Sequence, residues 1–150
     1  MAERFSWVVE NKLAGMERPG LYQQLHHDLN LLKEKGITVI VNLEEYFWDY
    51  PSYEVLHLPV EDFQPPKPED FENYIEFISP KIAEGKKVLV HCHAGMGRTN
   101  LMIAAYIVNN EMIKPDIALE RVKNFRPAHW VTEDQEKSLW DYFYTLDIKK

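Results

Sequence analysis

An apolar strand, a short glycine-containing loop and an apolar helix follow one another between residues 87 and 108. Residues 87–91 read Lys-Val-Leu-Val-His, an apolar run that is typical of a buried strand. Residues 101–108 are apolar on nearly every side, which predicts a helix at the centre of the protein. A buried strand that leads into a buried helix indicates a sheet covered by helices.

Strands and helices alternate along the rest of the chain. Further strands are predicted at residues 7–9, 37–43 and 54–60. Helices are predicted at residues 21–35, from Pro68 onward, at 115–124 and at 132–146. Pro80 is expected to kink or interrupt the second helix, and residues 44–53 are expected to form a loop. The alternation predicts an α/β fold with a mostly parallel central sheet flanked by helices.

Length, charge and cysteine content narrow the functional classes that are open to the chain. A length of 150 residues fits a single domain, residues 1–150. The formal net charge of −7 disfavours a broad interface with nucleic acid. No apolar run reaches the roughly 20 residues that span a bilayer, and the N-terminus lacks a signal region. The single cysteine suits a reducing compartment. From these features together we expect a cytoplasmic monomer without membrane or nucleic-acid partners.

The loop between the predicted central strand and helix has the spacing Cys-x5-Arg. The strand delivers Cys92 to the carboxyl edge of the sheet, where α/β proteins place ligands. Gly95 and Gly97 allow a tight backbone turn, so that successive N–H groups face one point and can bind an anion. The N-terminus of the following helix and the Arg98 guanidinium add positive charge there. The same field favours the thiolate form of Cys92, which is the nucleophile.

Three other interpretations of this loop are weaker. An isolated cysteine is most often a buried apolar residue, but the adjoining strand, glycines, arginine and helix favour a catalytic role for Cys92. A Walker A motif ends in Gly-Lys-Ser/Thr, whereas this loop ends in Gly-Arg-Thr. The side chains of the consecutive residues His91, Cys92 and His93 alternate across a strand, which disfavours a metal site. We therefore predict no metal and no other cofactor.

Residues 91–99, His-Cys-His-Ala-Gly-Met-Gly-Arg-Thr, resemble the signature of the protein tyrosine phosphatase superfamily, His-Cys-x-x-Gly-x-x-Arg-Ser/Thr. A weaker likeness to the small atypical dual-specificity phosphatases, and to compact archaeal enzymes of the superfamily, extends along most of the chain. It rests on residues 5–8, residues 62–66 and the pair Arg126-Pro127. The resemblance implies a protein tyrosine phosphatase-like fold, a phosphocysteine intermediate and no metal.

The resemblance also implies a role for each matching residue of the loop. Cys92 corresponds to the nucleophile and Arg98 to the arginine that binds phosphate. Thr99 corresponds to the hydroxyl that hydrogen-bonds the cysteine sulfur. His91 corresponds to the histidine that orients the cysteine, with a buried structural histidine as the alternative. The phosphate cradle corresponds to His93, Ala94, Gly95, Met96 and Gly97, together with the arginine.

Two residues outside the loop match further catalytic groups of the family. Asp62, which lies near two prolines, corresponds to the general acid that protonates the leaving oxygen. Glu61 is adjacent and also acidic, so it remains an alternative. Gln135 aligns with a glutamine that positions the hydrolytic water in some relatives. Residues 132–135, Thr-Glu-Asp-Gln, equally fit a helix capping box.

Two features bear on packing and on the pocket rim. Many relatives carry glycine after Arg-Thr or Arg-Ser, whereas this chain carries Asn100, which is expected to alter the packing of the first helical turn. The aromatic and acidic residues 46–50 are expected to belong to a satellite of the core, with a rim for an aromatic substrate as the alternative.

These observations predict a cysteine-dependent protein phosphatase that acts on phosphoproteins or phosphopeptides. The x positions of the loop contain no lysine, and the chain is acidic overall, which disfavours a polyanionic inositol phosphate. The short chain predicts a shallow pocket that admits phosphotyrosine as well as phosphoserine and phosphothreonine. The alternatives are a non-catalytic phosphopeptide-binding module and an RNA 5′-triphosphatase.

Overall fold

The computed structural model describes residues 5–148, which form one mixed sheet with helices on both faces. The strands are β1 (Ser6–Val9), β2 (Leu13–Glu17), β3 (Ile37–Asn42), β4 (Glu54–His57) and β5 (Lys87–Cys92). The helices are α1 (Leu25–Glu34), α2 (Pro68–Ala83), α3 (Arg98–Glu111), α4 (Pro115–Phe125) and α5 (Glu133–Ile148). The predicted α/β class is confirmed.

The order of the strands places β5 at the centre of the sheet. The order is β1-β2-β5-β3-β4; β1 is antiparallel to β2, and the other neighbouring strands are parallel. Cys92 pairs with Glu17 of β2, and His91 pairs with Asn42 of β3. Because the carboxyl ends of parallel strands meet at one edge, β2, β3 and β5 all deliver their last residues to the same place.

The alternation of side chains along β5 divides the core into two layers. Val88 and Val90 pack with α2, α3, α4 and α5, whereas Leu89 packs on the opposite face with Leu32 of α1. Residues 101–108 of α3 are all buried, which confirms the prediction of a central helix. Within residues 5–148, no helix is both long enough and apolar enough to cross a bilayer.

One strand was missed, and helix α1 and strand β4 each differ from their predicted bounds by more than two residues at one end. Strand β2 was not predicted because Leu-Ala-Gly-Met-Glu contains no β-branched residue, yet all five of its residues are buried. Helix α1 begins at Leu25 and not at residue 21, since the N–H of Leu21 bonds back to the carbonyl of Arg18 in a turn. Strand β4 ends at His57, two residues before Pro59, which has no N–H for regular pairing.

Pro80 was expected to kink or interrupt the second helix, and the expected interruption was wrong. Helix α2 continues through Pro80 to Ala83. Tyr74, Ile78 and Ile82 lie four residues apart and are all buried on one face of the helix. Packing of this face therefore outweighs the loss of one backbone hydrogen bond at the proline.

Candidate active site

The Cys-x5-Arg loop joins β5 to α3 and forms the floor of a pocket of about 100 Å³. The pocket brings together the predicted nucleophile, arginine, acid and glutamine with four cradle residues and two aromatic side chains. These residues are Cys92, Arg98, Asp62, Gln135, His93, Ala94, Met96, Gly97, Phe63 and Trp130. Three other predicted residues, His91, Gly95 and Thr99, are buried behind this surface. Glu61 is not among the lining residues.

Three carbonyl groups of the loop are hydrogen-bonded to partners outside it. The carbonyl of His93 accepts from the N–H of Arg18 at 3.0 Å, that of Gly95 from Nη2 of Arg126 at 2.6 Å, and that of Met96 from the N–H of Trp130 at 2.8 Å. In a planar trans peptide the N–H of the next residue points opposite to the carbonyl. The N–H groups of Met96 and Gly97 therefore point away from these outer partners and into the loop. Such an arrangement forms an anion-binding nest.

Gly95 has a conformation and surroundings that other residues would not tolerate. Its φ is +77°, in the left-handed region that favours glycine. A Cβ atom added there would lie 2.8 Å from the carbonyl carbon and oxygen of Met16. The cradle thus passes so close to the end of β2 that only glycine fits.

The predicted contact between Thr99 and Cys92 is present. The Thr99 hydroxyl donates a hydrogen bond to the Cys92 sulfur at 3.0 Å, and both side chains are buried. A hydrogen bond to sulfur stabilises the thiolate relative to the thiol. The first turn of α3 thus supplies both the threonine and the arginine of the site.

His91 is a neutral, fully buried histidine whose two nitrogens are both engaged. Burial lowers the pKa of His91 to about 3. Its Nδ1 lies 3.3 Å from the Cys92 carbonyl, which can only accept, so Nδ1 carries the proton. Its Nε2 then accepts from the hydroxyl of Tyr50 at 2.9 Å. Burial also raises the pKa of Tyr50, so the phenol keeps its proton. The imidazole thereby fixes the backbone at the cysteine.

The buried neutral state of His91 predicts a loss of stability in acid. An unfolded histidine has a pKa of about 6.5. Between this value and about 3 the unfolded chain binds a proton that the folded chain does not, so the free energy of unfolding falls as the pH falls. Urea unfolding at pH 7 and pH 5 measures this loss. The loss of unfolding free energy between pH 7 and pH 5 should be smaller by about 2 kcal/mol in His91→Asn than in wild type.

The exposed histidine His26 provides a control for this comparison. The variant His26→Asn should lose the same amount of stability on acidification as wild type. If His91→Asn also behaves like wild type, the folded protein accepts the proton and the neutral assignment is wrong.

Arg98 is anchored on one side of its guanidinium and unsatisfied on the other. Nη1 donates to the carbonyl of Val60 at 2.8 Å and to Oε1 of Glu45 at 2.8 Å. Nε is buried and makes no hydrogen bond to the described part of the protein, although Oδ1 of Asp62 lies 3.5 Å away. A buried donor without a partner costs about 1–3 kcal/mol. An oxyanion in the pocket would supply the partner that Nε lacks.

Glu45 belongs to the site but was not predicted from the sequence. It follows β3 in the loop of residues 44–53, and its carboxylate holds the Arg98 guanidinium. Slight burial acts to raise the pKa of Glu45, but hydrogen bonds from its own backbone and from Arg98 outweigh this effect and lower it. Its signal in the sequence was weak, because an acidic residue in a polar loop is usually a solvated one.

Asp62 lies on an exposed loop and lines the same pocket as the cysteine. Its side chain is about half exposed (52%), and Oδ1 accepts a hydrogen bond from the N–H of Phe63 at 3.0 Å. Pro65 and Pro66, further along the same loop, line a second cavity of about 310 Å³ between this loop, α2 and α5. The loop thus borders a cavity at each end, the first pocket at Asp62 and Phe63 and the second cavity at Pro65 and Pro66.

Gln135 forms the predicted capping box and also lines the pocket. The Thr132 hydroxyl accepts from the N–H of Gln135 at 3.1 Å, and Oε1 of Gln135 accepts from the N–H of Thr132 at 3.0 Å, which confirms the capping box. Nε2 of Gln135 also donates to the carbonyl of Gln64 at 3.2 Å, and the side chain lines the pocket. The capping box thus places the Gln135 amide beside the loop that carries Asp62. The water-positioning role stays a prediction.

The aromatic rim of the pocket comes from residues that the sequence did not single out. Phe63 and Trp130 line the pocket, are more than half exposed, and face each other edge to face at 6.3 Å. The alternative rim of residues 46–50 does not line the pocket. In that segment Tyr50 is buried, and Trp48 packs beneath the guanidinium of Arg18, whose central carbon is 4.4 Å from the ring centroid.

An α/β sheet that delivers a cysteine, an arginine and oriented N–H groups to one edge has the architecture of the protein tyrosine phosphatase superfamily. Residues 14–111 match the family model described as "Tc-R-P: Polymorphic toxin system, DSP-PTPase phosphatase". The chain belongs to this family of DSP-PTPase phosphatases. The matched residues run from β2 to α3 and include the entire cradle.

Individual relatives agree with the family assignment. The chain is 29% identical over 126 residues to phosphatidylglycerophosphate phosphatase PTPMT1 of Arabidopsis thaliana, covering 78% of this chain and 37% of that protein. It is 30% identical over 135 residues to dual specificity protein phosphatase 12 of Rattus norvegicus, covering 81% and 39%. The chain thus spans less than half the length of these curated relatives. The crystal structure of Tk-PTP in the active form matches with a TM-score of 0.82 and 26% identity, covering 96% of this chain and 99% of that chain.

Proposed function

We propose that the protein hydrolyses phosphate monoesters by nucleophilic catalysis, with Cys92 as the nucleophile. The observation that carries this proposal is the buried Nε of Arg98, an unsatisfied donor in the pocket that also contains the cysteine. The inward N–H groups of Met96 and Gly97 provide further donors for the same oxyanion. A phosphoryl group spreads negative charge over three oxygens, and this arrangement of donors fits that charge.

The proposed reaction has two steps that share one phosphocysteine intermediate. In the first, the Cys92 thiolate attacks phosphorus, the ester P–O bond breaks, and Asp62 donates its proton to the leaving oxygen. In the second, the Asp62 carboxylate takes a proton from water as the water oxygen attacks phosphorus. The P–S bond then breaks, orthophosphate forms, and the hydrogen bond from Thr99 stabilises the departing thiolate. No step requires a metal.

We propose phosphoproteins as the substrate class, with phosphotyrosine hydrolysed faster than phosphoserine and phosphothreonine. The rim formed by Phe63 and Trp130 offers an aromatic substrate ring two aromatic surfaces above the cysteine. Phenoxide is also a better leaving group than alkoxide. The short chain predicts a shallow pocket, which would leave the phosphates of phosphoserine and phosphothreonine within reach.

A lipid phosphate monoester is a second candidate substrate. The relative from Arabidopsis thaliana is named for phosphatidylglycerophosphate, and the exposed aromatic rim would suit an interface with a lipid surface. The absence of lysine from the cradle and the net charge of −7 weigh against an anionic lipid surface. These charges favour the phosphoprotein assignment.

The proposal is tested by hydrolysis rates in EDTA for p-nitrophenyl phosphate, phosphotyrosine and phosphoserine peptides, and phosphatidylglycerophosphate in vesicles. Wild type should hydrolyse p-nitrophenyl phosphate and the phosphotyrosine peptide fastest. Trp130→Ala should raise KM for the phosphotyrosine peptide by about 3- to 10-fold and leave that for phosphoserine unchanged. The backbone N–H of residue 130, which holds the cradle, is retained in this variant.

Tyr46→Ala is the matched control, because Tyr46 is 71% exposed but lies outside the pocket lining. It should have the kinetic constants of wild type. Hydrolysis of the lipid faster than of either peptide would overturn the phosphoprotein assignment. Tight binding of phosphopeptides without any turnover would support the binding-module alternative instead.

A further inference from the structure

Arg126 joins three elements around the cradle and lies outside the lining of the catalytic pocket. The residue is only 7% exposed. Its Nη2 donates to the carbonyl of Gly95 at 2.6 Å, its Nη1 to the carbonyl of Gly15 in β2 at 2.7 Å, and its Nε to Oδ1 of Asn100 in α3 at 2.7 Å. The planar fork of one guanidinium thus fixes the loop relative to the sheet and the helix.

Asn100 fixes the segment that carries Arg126. Its Oδ1 accepts from the arginine, while Nδ2 lies 3.0 Å from Nδ1 of His129 and 3.4 Å from the carbonyl of Ala128. Burial lowers the pKa of His129, which favours a neutral imidazole whose Nδ1 can accept this bond. The asparagine is fully buried. Glycine at this position would offer neither group.

We propose that Asn100 and Arg126 are positioning residues that orient the two peptide groups of the cradle on either side of Met96. Arg126 holds the carbonyl of Gly95 outward, which directs the N–H of Met96 inward. Asn100 holds the segment that precedes Trp130, whose N–H keeps the carbonyl of Met96 outward and the N–H of Gly97 inward. The inference rests on the proposed function, because it assumes that the cradle binds a phosphoryl oxyanion.

The cradle needs external support because glycine on its own holds a peptide orientation weakly. Gly95 lacks a Cβ, so the adjoining peptide can rotate with little steric resistance. Rotation would turn a carbonyl dipole toward the bound oxyanion and remove an N–H donor from it. A charged donor on the carbonyl of Gly95 opposes that rotation before any ligand binds.

Tungstate binding isolates this role from chemistry, because a tetrahedral oxyanion needs only the donors of the cradle. The dissociation constant for tungstate is measured by calorimetry with the inactive variant Cys92→Ser as the parent. The same measurement is made after Arg126→Lys or Asn100→Ala is added to this parent. Arg126→Lys should weaken binding by about tenfold, since the compact ammonium group of lysine cannot reach the three acceptors that the planar guanidinium spans. Asn100→Ala should weaken it by about 3- to 10-fold.

Asn109→Ala is the matched control. It removes an asparagine from the same helix, one that donates to the hydroxyl of Tyr142 and lies outside the cradle. Its tungstate affinity should stay within about twofold of the parent. Melting temperatures without tungstate are recorded for every variant, so that a loss of stability is distinguished from a loss of affinity. If Arg126→Lys does not fold, Asn100→Ala decides the question.

The possible results separate this inference from the function on which it rests. Variants that melt earlier but bind tungstate like the parent would overturn the positioning role and leave a purely structural one. Loss of affinity in Asn109→Ala equal to that in Asn100→Ala would overturn it as well. A folded parent that does not bind tungstate would refute the cradle itself, and with it the proposed function.

Discussion

Cys92→Ser is expected to abolish turnover while the pocket still binds an oxyanion. The value of kcat should fall by at least about 10⁴-fold. A serine hydroxyl is not ionised at neutral pH, so it would need a general base. Thr99 does not supply one because it donates a hydrogen bond toward this position, and both ring nitrogens of His91 are already engaged. Asp62 does not supply one either, because in the same step it is the protonated acid for the leaving oxygen.

Two measurements on Cys92→Ser separate loss of the nucleophile from loss of the site. Hydrolysis of p-nitrophenyl phosphate in EDTA reports on the chemistry, and the dissociation constant for tungstate reports on the cradle. Normal tungstate binding with activity below about 0.01% of wild type would establish the cysteine as the nucleophile. Activity that persists near the wild-type level would show that another group attacks phosphorus.

The cradle could be predicted from the sequence because its function depends on neighbouring residues. A strand, a turn that needs glycine and a helix N-terminus occupy consecutive positions, and residues 92–98 carry both the nucleophile and the arginine. The strand is buried from Val88 to Cys92 and the helix from Arg98 to Val108, which gives them the clearest apolar patterns in the chain. Local sequence therefore contained most of what this part of the site requires.

The partners of the cradle could not be predicted because they are distant in sequence. Glu45 lies 53 residues from Arg98. Arg126 lies 31 residues from Gly95. Neither has a local pattern that reveals its contact, and the same is true of Trp130 at the rim. Such contacts depend on how α3, α4 and the loop that carries Asp62 pack together. The periodicity of a single sequence does not determine that packing.

Asn100 shows how a local rule can identify a position without explaining it. Its departure from the glycine of many relatives predicted altered packing in the first turn of α3, which stays a prediction, and its side chain is fully buried there. No local pattern indicated the hydrogen bond to Arg126, which lies 26 residues away. Strand β2 is a similar case, since it pairs with β5 through its backbone while its side chains carry little strand propensity.

Asp62→Asn is expected to slow hydrolysis according to how much the leaving group needs a proton. For a phosphoserine peptide, whose alkoxide leaves poorly, kcat should fall by about 10²- to 10⁴-fold. For p-nitrophenyl phosphate the loss should be much smaller, because nitrophenolate leaves without protonation at neutral pH. Asparagine is nearly isosteric with aspartate and can still accept the hydrogen bond from Phe63, so the loop should keep its conformation.

Glu61→Gln is the matched control for this experiment, because Glu61 is the adjacent carboxylate and does not line the pocket. It should hydrolyse both substrates at nearly the rate of wild type. A loss in Glu61→Gln that depends on the leaving group would move the acid role to Glu61. Equal losses for both substrates in Asp62→Asn would indicate a different function for Asp62. Its carboxylate lies 3.5 Å from Nε of Arg98, so its role would then be to hold the arginine until phosphate displaces it.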